Sequence, residues 1–192
     1  MIAQQRIAQP NTECFDSQRL ERVFGDCFAE SQTTLLLGGA SEPFYCPAKG
    51  VGHYHELHYR EDYFASALHE VSHWCIAGPA RRLRADFGYW YAPEGRSAEQ
   101  QFTFESVEGR PQALEWLFSK ACGFPFQVSL DNFSEEASVY RTRFVRQVYA
   151  EALGWQSGGL PLRAQQFFSA LSAEFGSALT VASVSLSQTE LG

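Results

Sequence analysis

Hydrophobic residues in the first sixty positions change from helical spacing to short runs. Apolar side chains recur every three or four residues over 15–30, which predicts an amphipathic helix. Apolar or aromatic runs follow at 33–37, 44–46 and 53–59, and turn residues such as Gly38 separate them. The pattern therefore predicts three short extended segments after the first helix.

A second helix is predicted over residues 63–77. Asp62 offers a side-chain oxygen that can accept a hydrogen bond from the first helical turn. Gly78 and Pro79 predict its end, because glycine readily adopts a left-handed conformation after a helix and proline cannot continue one. Its apolar face consists of Phe64, Leu68, Val71 and Trp74.

Helical spacing dominates the second half of the chain. Ser97 can cap a helix that runs to Glu108, and a new helix is predicted from Pro111 to Cys122, since the residue before a proline disfavours helical backbone. The remaining segments are a β-prone aromatic run at 85–91 and helices at 134–153 and 161–175.

Strands therefore concentrate in the first half and helices in the second. This distribution predicts an α+β fold, in which helices pack on a small sheet. A chain of 192 residues with 45% hydrophobic residues can bury one core, so a single domain over 1–192 is expected. The polar ends, 1–12 and 181–192, are expected to be loosely ordered.

Composition and charge indicate where in the cell the protein is expected and which classes of binding partner are not expected. The formal net charge of -7 argues against a nucleic-acid-binding domain. No apolar run has the length of a membrane span or follows a signal-peptide pattern, so a cytoplasmic protein without membrane contact is expected. The five cysteines have wide spacings and no Cys-x-x-Cys pair, which indicates reduced thiols.

The second predicted helix contains a His-Glu-x-x-His pattern at 69–73. His69 and His73 lie one helical turn apart on one face, so both imidazoles can reach a single metal ion. Glu70 lies about 100° around the helix from His69, close enough to contact a metal-bound water. The pattern therefore predicts a metal site on this central helix, with Glu70 as a catalytic residue.

Residue spacing alone does not determine the third metal ligand. Zinc peptidases with the extended motif require glycine and histidine where this chain has Ile76 and Pro79, so that class is excluded. No histidine follows His73, which leaves a carboxylate, and two histidines with one carboxylate suit non-haem Fe(II) as well as zinc. The candidates are Asp86, Glu105 and Glu108. The other histidines, His53, His55 and His58, are interpreted as surface or sheet-face residues without a metal.

Four collinear segments resemble the elongation factor P hydroxylase family. They are Ser66–Gly78, Asp86–Tyr91, Val107–Glu108 with Pro111–Phe118, and Gly123–Phe126. Together they fall within about residues 62–133, over a third of the chain, which makes the likeness far more specific than the five-residue motif.

The resemblance implies an activity and a ligand set. The family hydroxylates a lysine of elongation factor P that already carries a β-lysyl group, and its fold is like that of a bacterial rRNA-processing endoribonuclease. Its two-histidine, one-carboxylate site corresponds to His69, His73 and Glu108 here. Fe(II) and dioxygen are the expected reactants, because side chains alone cannot hydroxylate an unactivated C–H bond. No His-x-Asp pair occurs, so 2-oxoglutarate is not expected to take part.

A cationic substrate side chain implies an acidic pocket. Asp86 and Glu105 are the candidate acids, and Tyr89 is a candidate pocket residue. A basic cluster at 81–84 is expected to dock an acidic protein surface outside that pocket. Two other functions fit the motif: a zinc-dependent peptidase or endoribonuclease in which Glu70 activates water, and a non-enzymatic protein with structural zinc.

Overall fold

A computed structural model of the protein describes residues 15–85, 97–129 and 137–191. Within these ranges the helices are α1 (Ser17–Phe28), α2 (Phe64–Ile76), α3 (Ala98–Cys122), α4 (Ala137–Gly158) and α5 (Leu162–Glu174). The strands are β1 (Thr34–Ala40), β2 (Phe44–Cys46) and β3 (His55–Arg60). This confirms the α+β class and the three predicted extended segments. The β-prone run predicted at 85–91 lies almost entirely outside the described residues.

The three strands form one sheet in the order β1-β3-β2. β3 is parallel to β1, with Leu36 opposite Leu57, and antiparallel to β2, with Tyr45 opposite Leu57. All three of these side chains are buried. α1 packs against β1 and α2 against β3, so the sheet supports the helix that carries the His-Glu-x-x-His pattern.

Two apolar clusters stabilise the helices. In the first, α1, α2 and α5 meet through Phe24, Trp74 and Phe167, and the rings of Phe24 and Trp74 lie 5.0 Å apart. The second lies between α3 and α4, where Trp116 and Phe144 are buried. Because α3 contributes side chains to both clusters, its position relative to α2 is held from two sides.

The prediction that the helix at 97–108 ends before Pro111 is wrong. α3 is continuous from Ala98 to Cys122, with Pro111 inside it. Pro111 lacks an N–H, so it removes one hydrogen bond of the helical ladder. Packing of the α3 turns on both sides of Pro111 compensates for this loss, since Phe104 and Leu114 are each buried. The cap predicted at Ser97 is confirmed, because its side chain accepts a hydrogen bond from Gln100 N.

Both predicted ends of α2 differ from the structure. Tyr63 rather than Asp62 occupies the N-cap, without a side-chain cap. At the other end Gly78 is not left-handed, because the following Pro79 favours an extended residue before it. The carbonyls of Trp74, Cys75 and Ala77 instead accept hydrogen bonds from Arg163 of α5, at 2.8, 3.1 and 2.6 Å. A residue distant in sequence therefore satisfies the end of the helix.

The chain termini have different outcomes. Residues 1–12 lie outside the described residues. Residues 181–191, expected to be loosely ordered, form two short 3-10 turns and bury Val181, Val184 and Leu191 in the two apolar clusters. That expectation is wrong, because apolar side chains of this C-terminal segment are buried in both clusters. No helix in the described part of the chain has both the length and the apolar character that crossing a bilayer requires.

Candidate metal centre

α2 holds the two histidines of the motif on the side facing α3. The Nε2 atoms of His69 and His73 lie 3.1 Å apart. The opposite side of the helix is fixed in the core by Leu68 and Val71, neither of which has any exposed surface. The helical spacing predicted from the sequence therefore places both imidazoles at one point, and buried apolar contacts keep them there.

Glu108 of α3 completes the cluster. Its Oε2 lies 3.5 Å from His69 Nε2, and its Oε1 lies 3.3 Å from His73 Nε2. Among the described residues, His69, His73 and Glu108 are the group whose ligand atoms converge well enough to hold a metal ion, all within 4.8 Å of one another. Of the three candidate acids, the structure brings Glu108 to the imidazoles, while Asp86 lies outside the described residues.

The spacing of these donor atoms fits a divalent transition metal. Metal–ligand bonds to histidine nitrogen and carboxylate oxygen are about 2.0–2.2 Å, so neighbouring ligand atoms around one ion lie roughly 3–3.5 Å apart. The three separations of 3.1, 3.3 and 3.5 Å fall in that range. Two imidazoles and a carboxylate also leave coordination positions open, as a catalytic site requires.

A further carboxylate contacts His69 at the ring nitrogen opposite the cluster. Glu115 Oε2 lies 2.8 Å from His69 Nδ1, the ring nitrogen that does not face Glu108. The sequence pattern alone indicated no role for Glu115. A signal was present, since Glu108, Gln112 and Glu115 are spaced so that they share one side of a helix, but it appears only if α3 continues through Pro111.

The carboxylates strongly favour positive charge at the cluster. Burial opposes the charged form of His69, yet the hydrogen bond and charge of Glu115, with the charges of Glu108 and Glu70, raise the pKa of His69 to about 10. Burial likewise opposes ionisation of Glu108, but contacts with His73, His69 and Gln112 hold the pKa of Glu108 below its ordinary value. The cluster therefore favours a bound cation, whether a proton or a metal ion.

Metal uptake should therefore compete with protons. Because His69 has a pKa raised to about 10, a metal must displace its proton near neutral pH. We expect Zn(II) binding to the metal-free protein to release protons and to tighten by up to about tenfold per pH unit between about pH 6 and 8. Calorimetry in buffers of different ionisation enthalpy measures the release, with His53→Ala as the control. An affinity that is independent of pH would contradict the displacement.

The cluster opens into a cavity of about 840 Å³ between α2 and α3. Among the described residues, the acids that line it are Glu70, Glu108 and Glu115. The arginines that line it there are Arg60, Arg81, Arg82 and Arg110. Burial, opposed by His69 and His73 and reinforced by Glu108 and Glu115, raises the pKa of Glu70. The cavity therefore combines an acidic cluster at the imidazoles with arginines elsewhere on its wall.

The other residues predicted to bind substrate are differently placed. Glu105 is 2% exposed, does not line the cavity and accepts hydrogen bonds from Arg143 and Gln101. The prediction that it faces substrate disagrees with this placement, because Glu105 is paired with Arg143 of α4 and lies outside the cavity lining. Asp86 and Tyr89 lie outside the described residues.

The basic cluster at 81–84 is also not a uniform outer surface. Arg81 and Arg82 line the cavity, and Arg82 is tied to β2 and to the segment before β1, since its carbonyl accepts from Tyr45 Oη and its guanidinium donates to Gln32. Arg84 is exposed. Arg81 and Arg82 therefore lie at the cavity rather than outside it, and docking of an acidic partner surface by the cluster stays a prediction.

The histidines of the sheet have their own partners. Nδ1 of His55 accepts a hydrogen bond from the backbone N–H of Ala48 at 2.9 Å. His58 lies 3.0 Å from Glu56, and its ring stacks on Phe44 at 4.0 Å. Both residues take part in local contacts of the sheet.

Two comparisons with known proteins point to the same family. A family model described as elongation factor P hydroxylase matches residues 23–184. The elongation factor P lysine hydroxylase of Haemophilus influenzae is 42% identical over 151 residues, which cover 79% of this chain and 84% of that protein. The range matched by the family model includes His69, His73, Glu108 and Glu115.

Proposed function

The chain belongs to the elongation factor P hydroxylase family, and we propose that it hydroxylates the β-lysylated lysine of elongation factor P at an iron centre held by His69, His73 and Glu108. The observation that carries the proposal is the convergence of these three ligands in an open cavity of about 840 Å³. Such a cavity can accept an extended side chain beside the metal.

Fe(II) is the proposed metal. The ion would supply the dioxygen chemistry that insertion of oxygen into an unactivated C–H bond requires and that side chains do not provide. His69, His73 and Glu108 would hold it, and the two neutral imidazoles with one carboxylate leave one positive charge uncompensated on a divalent ion. The neighbouring carboxylates Glu70 and Glu115 further favour a cation in this cluster.

Glu70 is the proposed proton-handling residue. It follows His69 directly, lines the cavity and is half-buried. Its raised pKa means that the carboxyl group can exchange a proton closer to neutral pH than an exposed glutamate can. The same carboxylate, when ionised, attracts an ammonium group of the substrate side chain. Glu70→Gln should therefore lower activity while the metal remains bound.

The test of the proposed function is an assay on the protein substrate. Elongation factor P carrying the β-lysyl group is incubated under air with the Fe(II)-loaded chain and a chemical reductant, which supplies the two electrons that reduce the second oxygen atom to water. The modified peptide is then analysed by mass spectrometry. Addition of one oxygen atom is expected, and unmodified elongation factor P should react poorly. A Glu108→Gln variant serves as the negative control. No oxygen addition with metal bound in the wild-type protein would contradict the proposal.

Recognition of the folded substrate should depend on the exposed arginines near the cavity. Arg60, the last residue of β3, lines the cavity and is exposed. Arg84, which follows Arg81 and Arg82 in the chain, is also exposed. Reversal of either to glutamate should raise KM about two- to fivefold and flatten its salt dependence, with kcat little changed, because such charges act mainly on association. Steady-state kinetics at several salt concentrations measure this.

The matched control is Arg22→Glu, which reverses an exposed arginine on α1 that does not line the cavity. A short peptide with the same modified lysine provides the second comparison. If intact protein and peptide give equal kcat/KM, and charge reversal changes neither, the protein surface is not recognised through these arginines.

A zinc-dependent hydrolase, with Glu70 activating a water, would use the same three ligands, and a comparison of turnover with Fe(II) and with Zn(II) distinguishes the two functions. The likeness of fold to a bacterial rRNA-processing endoribonuclease stays a prediction. So do the single-domain organisation, the cytoplasmic location and the lack of nucleic-acid partners.

A further inference from the structure

Glu115 lines the cavity and contacts His69, but it is not one of the three proposed metal ligands. It lies two helical turns beyond Glu108 on α3, and it is 8% exposed. Its Oε2 is 2.8 Å from Nδ1 of His69, while Nε2 of the same ring faces His73 and Glu108 at 3.1 and 3.5 Å. Both ring nitrogens of His69 are therefore in contact: Nδ1 with a carboxylate that can accept a hydrogen bond, and Nε2 with the proposed metal-binding cluster.

This arrangement determines which ring nitrogen carries the proton. A neutral imidazole has one N–H and one lone pair, and only the nitrogen with the lone pair can bind a metal. An ionised carboxylate can only accept a hydrogen bond, so Glu115 requires the N–H on Nδ1 of His69. The lone pair then lies on Nε2, the atom that converges with His73 and Glu108.

We infer that Glu115 positions His69 as a metal ligand, by fixing its ring orientation and keeping its metal-binding lone pair on Nε2. The inference rests on the proposed function, since it takes His69 to be a ligand. Glu115 acts through His69 and is therefore a positioning residue rather than a catalytic one. Loss of such an outer partner typically weakens metal binding or activity about 10–100-fold.

A purely structural role is the alternative, in which Glu115 only joins α3 to α2. The chain contains a matched example of that role. Glu105, on the same helix, is also buried and pairs with Arg143 of α4 at 2.7 Å, but it does not line the cavity. Replacing each acid by its amide therefore compares two buried carboxylates of α3 that differ in whether they contact a proposed ligand.

The experiment uses the full chain with Zn(II) as the probe metal. Wild type, Glu115→Ala, Glu115→Gln and Glu105→Gln are compared in three measurements: zinc affinity by competition with a chelator, ring N–H signals of ¹⁵N-histidine in the zinc-loaded protein, and thermal unfolding without metal. Glu115→Ala should weaken zinc binding about 10–100-fold and remove the slowly exchanging Nδ1–H signal of His69. Glu115→Gln should keep that signal, because the amide carbonyl still accepts the hydrogen bond from Nδ1. This variant should therefore bind zinc more tightly than the alanine variant.

The control variant should behave in the opposite way. Glu105→Gln should lower the unfolding temperature and leave zinc affinity and the His69 signal unchanged. If folded Glu115→Ala binds zinc as tightly as wild type and keeps the His69 signal, the inference is overturned while the metal centre stands. If Glu115→Ala does not fold, Glu115→Leu takes its place, since leucine also cannot accept a hydrogen bond from Nδ1. Unchanged zinc affinity with a retained His69 signal in that variant overturns the inference. Wild-type protein that binds no zinc removes the proposed centre itself, and the inference with it.

Discussion

Replacement of His69, His73 or Glu108 by alanine should each abolish metal binding and hydroxylation of elongation factor P. The three residues supply all the ligand atoms of the cluster found among the described residues. Since loss of a residue that merely orients a ligand costs about 10–100-fold, loss of a ligand should weaken metal binding by more than about a hundredfold. Metal content after dialysis and oxygen addition to the substrate are measured for each variant.

Folding must be separated from ligand loss in these variants. Glu108 is 5% exposed, and its removal leaves two imidazoles beside a small cavity, so circular dichroism and unfolding temperature are recorded for each protein. Glu105→Ala is the matched control, because it removes the acid one turn earlier on the same helix. If Glu108→Ala keeps metal and activity while Glu105→Ala or Asp86→Ala loses both, the third ligand has been assigned to the wrong residue.

The histidine pair could be predicted from the sequence because its geometry is local. A helix of thirteen residues sets the separation of His69 and His73, whatever the rest of the fold does. The third ligand depends on how α3 packs against α2, which no local spacing determines. Pattern alone left Asp86, Glu105 and Glu108 open, and the family resemblance favoured Glu108, the residue that the structure brings to the imidazoles.

Glu115 was missed because of a local rule that long-range packing overrides. A break before Pro111 was predicted from the conformational preference of the residue that precedes a proline. In the folded protein α3 continues, and Glu108 and Glu115 then lie on the same side of one helix. The end of α2 is a similar case: a left-handed Gly78 was expected there, whereas Arg163 from α5 donates hydrogen bonds to the terminal carbonyls. Contacts between helices distant in sequence decided both cases.

Fe(II) with dioxygen, and not Zn(II), should support turnover, and 2-oxoglutarate should be unnecessary. The ligand set of His69, His73 and Glu108 suits either metal, so the distinction comes from the reaction. Oxygen insertion into a C–H bond needs a metal that changes its oxidation state, which zinc does not do. Metal-free protein is reconstituted under argon with Fe(II) or Zn(II), and product is measured after air is admitted, with a chemical reductant present and with or without 2-oxoglutarate.

The expected result is oxygen addition with Fe(II), air and the reductant but without 2-oxoglutarate, and a loss of at least about a hundredfold when zinc replaces iron. Isotopically labelled dioxygen should place its label in the product, whereas labelled water should not. Glu108→Ala under the same conditions controls for iron free in solution, because it lacks one of the three ligands but keeps the remainder of the chain. Full activity with zinc under argon would instead support a hydrolase in which Glu70 activates a water. Strict dependence on 2-oxoglutarate would keep the hydroxylase but contradict the expectation drawn from the missing His-x-Asp pair.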